Sequence, residues 1–212
     1  LRRIAIAEIT AMAVLLLSYI WIWQGAFPGD FWVVLALYLG IGFSSHLRRG
    51  ESFRDIGLRL DNFGRAARSA VRIIGPLILI PPVVGLLMGT LRPVPLQEVP
   101  FGLAYGIAWG TLQQYGLACF FFRRAVEVFP GKWPPMVAAA SLFALFHLPN
   151  PFLTAVTLVA GTLGCWIYRR TPNLWVLGIA HGLLSASISR SLPLDLTLGM
   201  RVGPRALELL VP

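Results

Sequence analysis

Seven runs of apolar residues, at 4–24, 31–43, 71–91, 101–122, 136–148, 152–168 and 174–188, are separated by proline, glycine and arginine. A run of roughly 18 residues or more matches the ~30 Å hydrocarbon core of a bilayer. With 57% of its 212 residues hydrophobic and only 13% charged, the chain has too little polar sequence for a water-soluble domain. The expected fold is all-α, a polytopic transmembrane bundle of seven to eight helices forming one domain over 1–212. The run at 31–43 is short and is expected to extend toward His46. The run at 71–91 holds Pro76, Pro81, Pro82, Gly85 and Gly89, so it should kink and leave carbonyls for neighbouring helices to satisfy. The stretch at 189–212, with Asp195, Arg201 and Arg205 among leucines, reads as an interfacial segment or an eighth helix. No internal repeat is visible, and the first run, lacking a small-residue cleavage site, reads as a mature span.

The net charge of +9 is carried by arginines placed between the runs, the arrangement of membrane-protein loops, so it does not imply nucleic acid as a partner. If all seven runs cross, Arg2, Arg3, the seven arginines of 46–72, Arg123, Arg124, Lys132, Arg169 and Arg170 share one side. Arg92, Arg190, Arg201 and Arg205 fall on the other. The positive-inside rule then puts the N-terminus in the cytoplasm, with a bacterial inner membrane as the expected setting. The stretch at 46–72 sets its arginines against Glu51, Asp55 and Asp61 and carries Phe53, Ile56, Leu58, Leu60 and Phe63. It reads either as a surface segment among anionic lipid head groups or as a solvated basic loop. Cys119 and Cys165 lie inside apolar runs and read as buried thiols.

Polar residues inside the runs are few, and their depths coincide. At ~1.5 Å rise per residue, Gln114 and His181 each lie roughly 12 Å from the basic end of their runs, with Gln113 one residue deeper and His147 at roughly 18 Å. Polar side chains at such depth are costly unless they pair or line a wet cavity, so the four are expected to share a site. His181 shares a helix face with Ser185, and Phe143 shares one with His147. The sequence Leu148-Pro149-Asn150-Pro151 puts a turn near mid-membrane, tolerated only inside protein or beside a cavity. Cys119 points about 140° away from Gln114 at ~100° per residue, against a Cys–His nucleophilic pair. Two histidines with no intramembrane carboxylate beside them make a thin metal-ligand set, and no cofactor is expected. Taken singly, a packed histidine, a glutamine pair acting as interhelical glue or a lone Ser185 would mean little.

These segments resemble the CPBP family of intramembrane endopeptidases, also called the ABI or type II CAAX-protease family, whose pattern is EExxxR, FxxxH and HxxxN on successive helices. Phe143 and His147 match the second motif, and His181 with Ser185 matches the third with serine in place of asparagine. GCWIYRRTPNLW at 164–175 and FRDIGLR at 53–59 are similar to the family's flanking segments, so the resemblance covers roughly 52–187. In the first motif Gln113 and Gln114 stand where the glutamates belong and Ala118 where the arginine belongs, with Arg123 and Arg124 too far along to replace it.

The resemblance implies a glutamate that activates water for attack on a peptide carbonyl, histidines that assist, and a polar donor at the oxyanion. It places Gln113 and Gln114 at the water-activating positions, His147 and His181 at the assisting ones and Ser185 at the donor position. A glutamine amide donates and accepts hydrogen bonds but is no base at neutral pH. Two expectations follow. One is an endopeptidase acting on a membrane-associated or lipidated peptide with impaired or histidine-dependent catalysis, or with Glu8 reaching in as base. The other is a catalytically inactive relative that binds a membrane peptide or a partner protein. A transporter is a weaker third reading, because no corresponding pair of broken helices marks two halves.

Overall fold

The computed structural model describes residues 1–209, and among these there is no strand. Its helices are α1 (Arg2–Ser18), α2 (Asp30–Arg48), α3 (Phe63–Ile73), α4 (Gly75–Met88), α5 (Val99–Gln114), α6 (Arg123–Val128), α7 (Trp133–Leu145), α8 (Pro151–Arg170), α9 (Leu174–Ser191), α10 (Leu194–Thr197) and α11 (Pro204–Leu207). Six of the seven apolar runs fall largely on one continuous helix each, and the run at 71–91 straddles the bend between α3 and α4, giving an all-α bundle. Arg2–Trp23, Asp30–Arg48 and Pro151–Arg170 are long and apolar enough to cross a membrane. The pair α3 and α4, bent by 43°, makes a fourth if counted as one span. The helix bearing the glutamines runs without a break from α5 through π-helical turns at Tyr115–Phe122 into α6. The run at 31–43 does extend past His46, to Arg48.

Of the two prolines inside α4, Pro81 and Pro82, the second is accommodated by α9. Pro82 can neither donate to Ile78 O nor let the chain continue that rung, and Ser187 Oγ donates to that carbonyl at 2.5 Å. A turn later Gly85 lies so close to Ser191 O that a Cβ would strike it, and Thr90 Oγ1 donates to the same carbonyl at 2.7 Å.

Helix α5 packs on α9 through glycines at matching intervals. Gly106 and Gly110 on α5 face Gly178 and Gly182 on α9. A Cβ at Gly110 would lie 2.7 Å from Gly178 O, and one at Gly182 would lie 2.8 Å from Gly106 O and Ile107 N. Small residues spaced by four let helix backbones approach where lipid offers no hydrophobic drive for association. This contact sets Gln114 of α5 against His181 of α9.

The sequence pattern of 46–72 suggested either a lipid-facing segment or a solvated loop, but part of it is core. Ile56 is buried, and Gly57 O accepts the Leu174 amide at 2.8 Å. Asn173 Nδ2 donates to Arg59 O and to Asn62 Oδ1, both at 2.8 Å. Phe53, Leu60 and Phe63 remain exposed, as a lipid-facing edge requires.

At the start of the same stretch, a buried cluster ties the basic ends of α1, α2 and α6. Arg124, fully buried, pairs with Glu51 and, at 2.7 Å, with Glu127. Arg49 bridges Glu127 at 2.6 Å and Glu8 at 2.9 Å, and His46 Nδ1 lies 2.6 Å from Glu51. Burial raises the Glu51 pKa, but hydrogen bonds from His46, Arg123 and Arg124 outweigh it and hold the carboxyl at about 2.

At the opposite end the turn 148–151 is enclosed by the chain's last described segment. Asn150, fully buried, caps α8 by accepting the Leu153 amide at 3.0 Å, and its Nδ2 donates to Thr197 O at 2.7 Å and Arg201 O at 3.1 Å. Gly203 N donates to Leu148 O at 2.8 Å. The expected protein enclosure of this turn is therefore present. Within 189–209 only the four-residue helices α10 and α11 and a short 3₁₀ turn follow α9, so no eighth crossing helix forms there; 210–212 lie outside the described residues.

Candidate active site

A cavity of about 650 Å³ opens between the α1–α2 hairpin, α5 and the helices α7 to α9. Gln113, Gln114, His147, His181 and Ser185 all line it. The helices place them by simple periodicity: Gln114 follows the glycine seam of α5 by one turn, and His181 sits between Gly178 and Gly182 on the facing seam of α9. His147 follows the end of α7 at Leu145, where the chain turns toward Pro149. Most of the wall is apolar, with leucines, valines and aromatic rings from six helices, so the polar groups stand out as one patch.

Within that patch Gln114 Nε2 and His181 Nδ1 are 3.1 Å apart. The amide nitrogen donates, so His181 Nδ1 accepts and the neutral ring carries its proton on Nε2. His147 Nδ1 lies 2.8 Å from Phe143 O. A carbonyl only accepts, so Nδ1 carries the proton and Nε2 keeps its lone pair. The Phe143 ring is packed edge-on to both imidazoles, with centroids 4.9 Å from His147 and 6.3 Å from His181. The phenylalanine and histidine of one motif are thereby joined, by ring contact and by backbone hydrogen bond, one turn apart.

Gln114 is 7% exposed, and its Oε1 is buried without a protein partner, directed toward Gly164. A buried amide oxygen left free beside a cavity is a ready acceptor for a bound peptide N–H or water. Gln113 and Ser185 are partly exposed to the same cavity. The patch therefore offers a lone pair on His147, a proton on His181 Nε2, the second amide proton of Gln114 and the Ser185 hydroxyl. Among the described residues no group of three or more His, Cys, Asp or Glu side chains could hold a metal ion.

Glu8 does not reach this site. Its carboxylate accepts from Ser45 Oγ at 2.9 Å and pairs with Arg49 in the basic-end cluster, so the expectation that it substitutes for the missing base is corrected. Cys119 is outside the cavity and donates its thiol to Ile56 O at 3.0 Å, as its helical phase required. Ala118 is fully buried, and Arg123 and Arg124 are committed to Glu51 and Glu127.

Tyr38, on α2, also lines the cavity and was not singled out by sequence. Nothing in the local pattern distinguishes it from an aromatic packed on lipid. The glycine pairs at 106 and 110 and at 178 and 182 were legible as a small-residue repeat and could have predicted the α5–α9 contact.

Residues 95–187 match the family described as type II CAAX prenyl endopeptidase Rce1-like. The stretch begins just before α5 and ends within α9, so it contains every proposed site residue, and α1 to α4 lie outside it. No curated protein and no solved structure matches the chain. The CPBP resemblance carried by the motifs is borne out over that stretch.

Proposed function

We propose, with residues 95–187 an Rce1-like domain of the CPBP family as the premise, that the chain is an intramembrane endopeptidase in which His147 supplies the base. The observation that carries this reading is the opposite commitment of the two imidazoles. Phe143 O holds the proton of His147 on Nδ1 and leaves Nε2 free to accept, while Gln114 holds His181 with its proton on Nε2. His147 Nε2 takes a proton from water, and the hydroxide attacks the peptide carbonyl carbon. The oxyanion that forms is met by His181 Nε2–H, Gln114 and Ser185, and the imidazolium of His147 returns the proton to the leaving amine as the C–N bond breaks. Gln113 and Gln114 hold the peptide and orient His181 instead of activating water. The apolar wall suits a membrane-associated or lipidated peptide, with the basic end of the bundle and the N-terminus in the cytoplasm of a bacterial inner membrane.

The test is a cleavage assay on lipid-reconstituted protein with a lipidated peptide panel. Turnover is expected to fall ~10²-fold or more in His147→Ala, the scale of general-base assistance. Turnover that survives both His147→Ala and His181→Ala rules the mechanism out.

One observation favours a second reading, a relative that binds a membrane peptide without cutting it: the carboxylate positions are amides, and Glu8 is ion-paired elsewhere. On that reading the unmodified protein cuts nothing, and Gln114→Glu, alone or with Gln113→Glu, restores cleavage.

A further inference from the structure

One residue from outside the matched stretch enters the backbone ladder of the helix that bears the glutamines. Tyr38 of α2 donates its hydroxyl to Leu112 O at 2.8 Å. That carbonyl also shares the Tyr115 amide, three residues along, with Thr111 O. In an α-helix it would pair with the amide of residue 116. Gly116 lies against the tyrosine, and a Cβ there would come within 2.5 Å of Tyr38 Oη. The hydroxyl thus sits at the rung that closes around Gln113 and Gln114, and the winding passes from α to π at Tyr115. A side chain inserted into the ladder is a known cause of altered winding, and π turns gather at functional sites.

The insertion is held from both sides. Tyr38 is 6% exposed and meets the Tyr115 ring edge-on at 5.7 Å. One turn beyond Tyr38, Gly42 lies so close to Tyr115 that a Cβ would collide with its hydroxyl. Each helix therefore sets a tyrosine against a glycine of the other, which fixes their axial register. The basic end of α2 is anchored in turn by Arg49, bonded to Glu8 and Glu127.

We infer that Tyr38 is a positioning residue for the proposed reaction. Its hydroxyl fixes the winding of 112–116 and, through it, the direction in which Gln114 meets His181. The geometric part stands by itself; its consequence for turnover rests on the endopeptidase reading.

The experiment compares full-length wild type, Tyr38→Phe, Gly116→Ala and the double variant in lipid nanodiscs. Amide hydrogen exchange is followed by mass spectrometry, with kcat and KM on the reconstituted peptide assay and the thermal midpoint of each protein. Tyr38→Phe keeps the ring and removes only the hydroxyl. It is expected to speed exchange across 112–116 about fivefold, the scale of one neutral hydrogen bond, while α8 exchanges as before. The same variant lowers kcat about fivefold or more and leaves KM within about twofold. Gly116→Ala does at least as much damage, and adding Tyr38→Phe to it recovers part of the loss. The oxygen that the new methyl strikes is then gone, and the remaining ring atoms stand at 3.4 Å. Unchanged exchange in 112–116, or equal acceleration everywhere, overturns the inference. If wild type cleaves nothing, the exchange and rescue results still decide the role of Tyr38, and only the endopeptidase reading falls.

Discussion

Replacing Gly182 by alanine adds one methyl at the seam that brings α9 against α5. The ideal Cβ would lie 2.8 Å from the Gly106 carbonyl carbon, the Gly106 oxygen and Ile107 N, all backbone atoms that cannot swing aside. Ordinary Cβ contacts begin near 3.4 Å, so the helices must part locally by 3.4 − 2.8, or 0.6 Å. Adding that to the 3.1 Å between Gln114 Nε2 and His181 Nδ1 gives about 3.7 Å, which is no longer a hydrogen bond. Overpacking of this kind costs about 1–3 kcal/mol. At ~2–4 °C per kcal/mol for a chain of this size, the thermal midpoint in detergent or nanodiscs should fall by roughly 2–12 °C. Displacement of catalytic groups by about 1 Å can cost ~10²-fold in rate, so the peptidase assay should lose ~10-fold or more. Gly40→Ala is the matched control, because nothing lies within 4 Å of a Cβ there and alanine gains up to ~1 kcal/mol in helix propensity. A Gly182→Ala protein that melts and cuts like Gly40→Ala would refute the claim that the glycine seam sets the site.

Three further outcomes are expected. The Glu51 carboxyl is drawn from an ordinary 4.5 to about 2, a stabilisation present above pH 4.5 and lost as pH falls toward 2. The shift equals ~3 kcal/mol at 1.36 per pH unit, and solvent screening reduces it to ~1–2 kcal/mol, so Glu51→Gln should flatten the acid limb of a thermal-melt pH series by that amount. Asn150→Ala removes the cap of α8 and the hydrogen bonds to the Thr197 and Arg201 carbonyls, for a loss of ~2–4 kcal/mol measurable as a lower midpoint and faster proteolysis of 189–209. Ala118→Arg puts an unpaired charge at a fully enclosed position and should abolish folded yield, with recovery when Gln113→Glu and Gln114→Glu are added; equal yields in both backgrounds would show that the three positions are not electrostatically coupled.

How far the sequence leads depends on the kind of interaction. Apolar runs announce helices, and the common depth of Gln114, His147 and His181 announces a shared layer, because depth in a bilayer is a nearly one-dimensional coordinate. The turn at 148–151 was legible for the same reason, since irregular backbone at that depth must be covered. Residues 46–72 were harder: composition gives arginine and exposed aromatics, but whether Arg49 meets lipid phosphate or Glu8 depends on a partner 41 positions away. Glu8 illustrates the same limit from the other side, since its depth allowed it near the site and only helix packing shows it held by Ser45 and Arg49. Tyr38 had no signature at all, because an aromatic ring facing lipid and one inserted into a neighbour's hydrogen-bond ladder read alike.

On the proposed alignment of Gln113, Gln114 and Ala118 with EExxxR, the three differences form one coherent change rather than three independent losses. Two adjacent glutamates with an arginine one turn along are tolerable inside a bundle because the charges compensate. Remove the glutamates alone, and a buried guanidinium is left unpaired at the place where Ala118 now stands fully enclosed. Remove the arginine alone, and two like charges remain side by side. A neutral set avoids both, and glutamine keeps the shape and the donor and acceptor atoms that hold His181. What such a site gives up is a group of fixed negative charge that can receive a proton. In the polar patch where the glutamines and histidines meet, the side chains able to change protonation are then the two imidazoles, and Phe143 O together with Gln114 has already divided them into one acceptor and one donor.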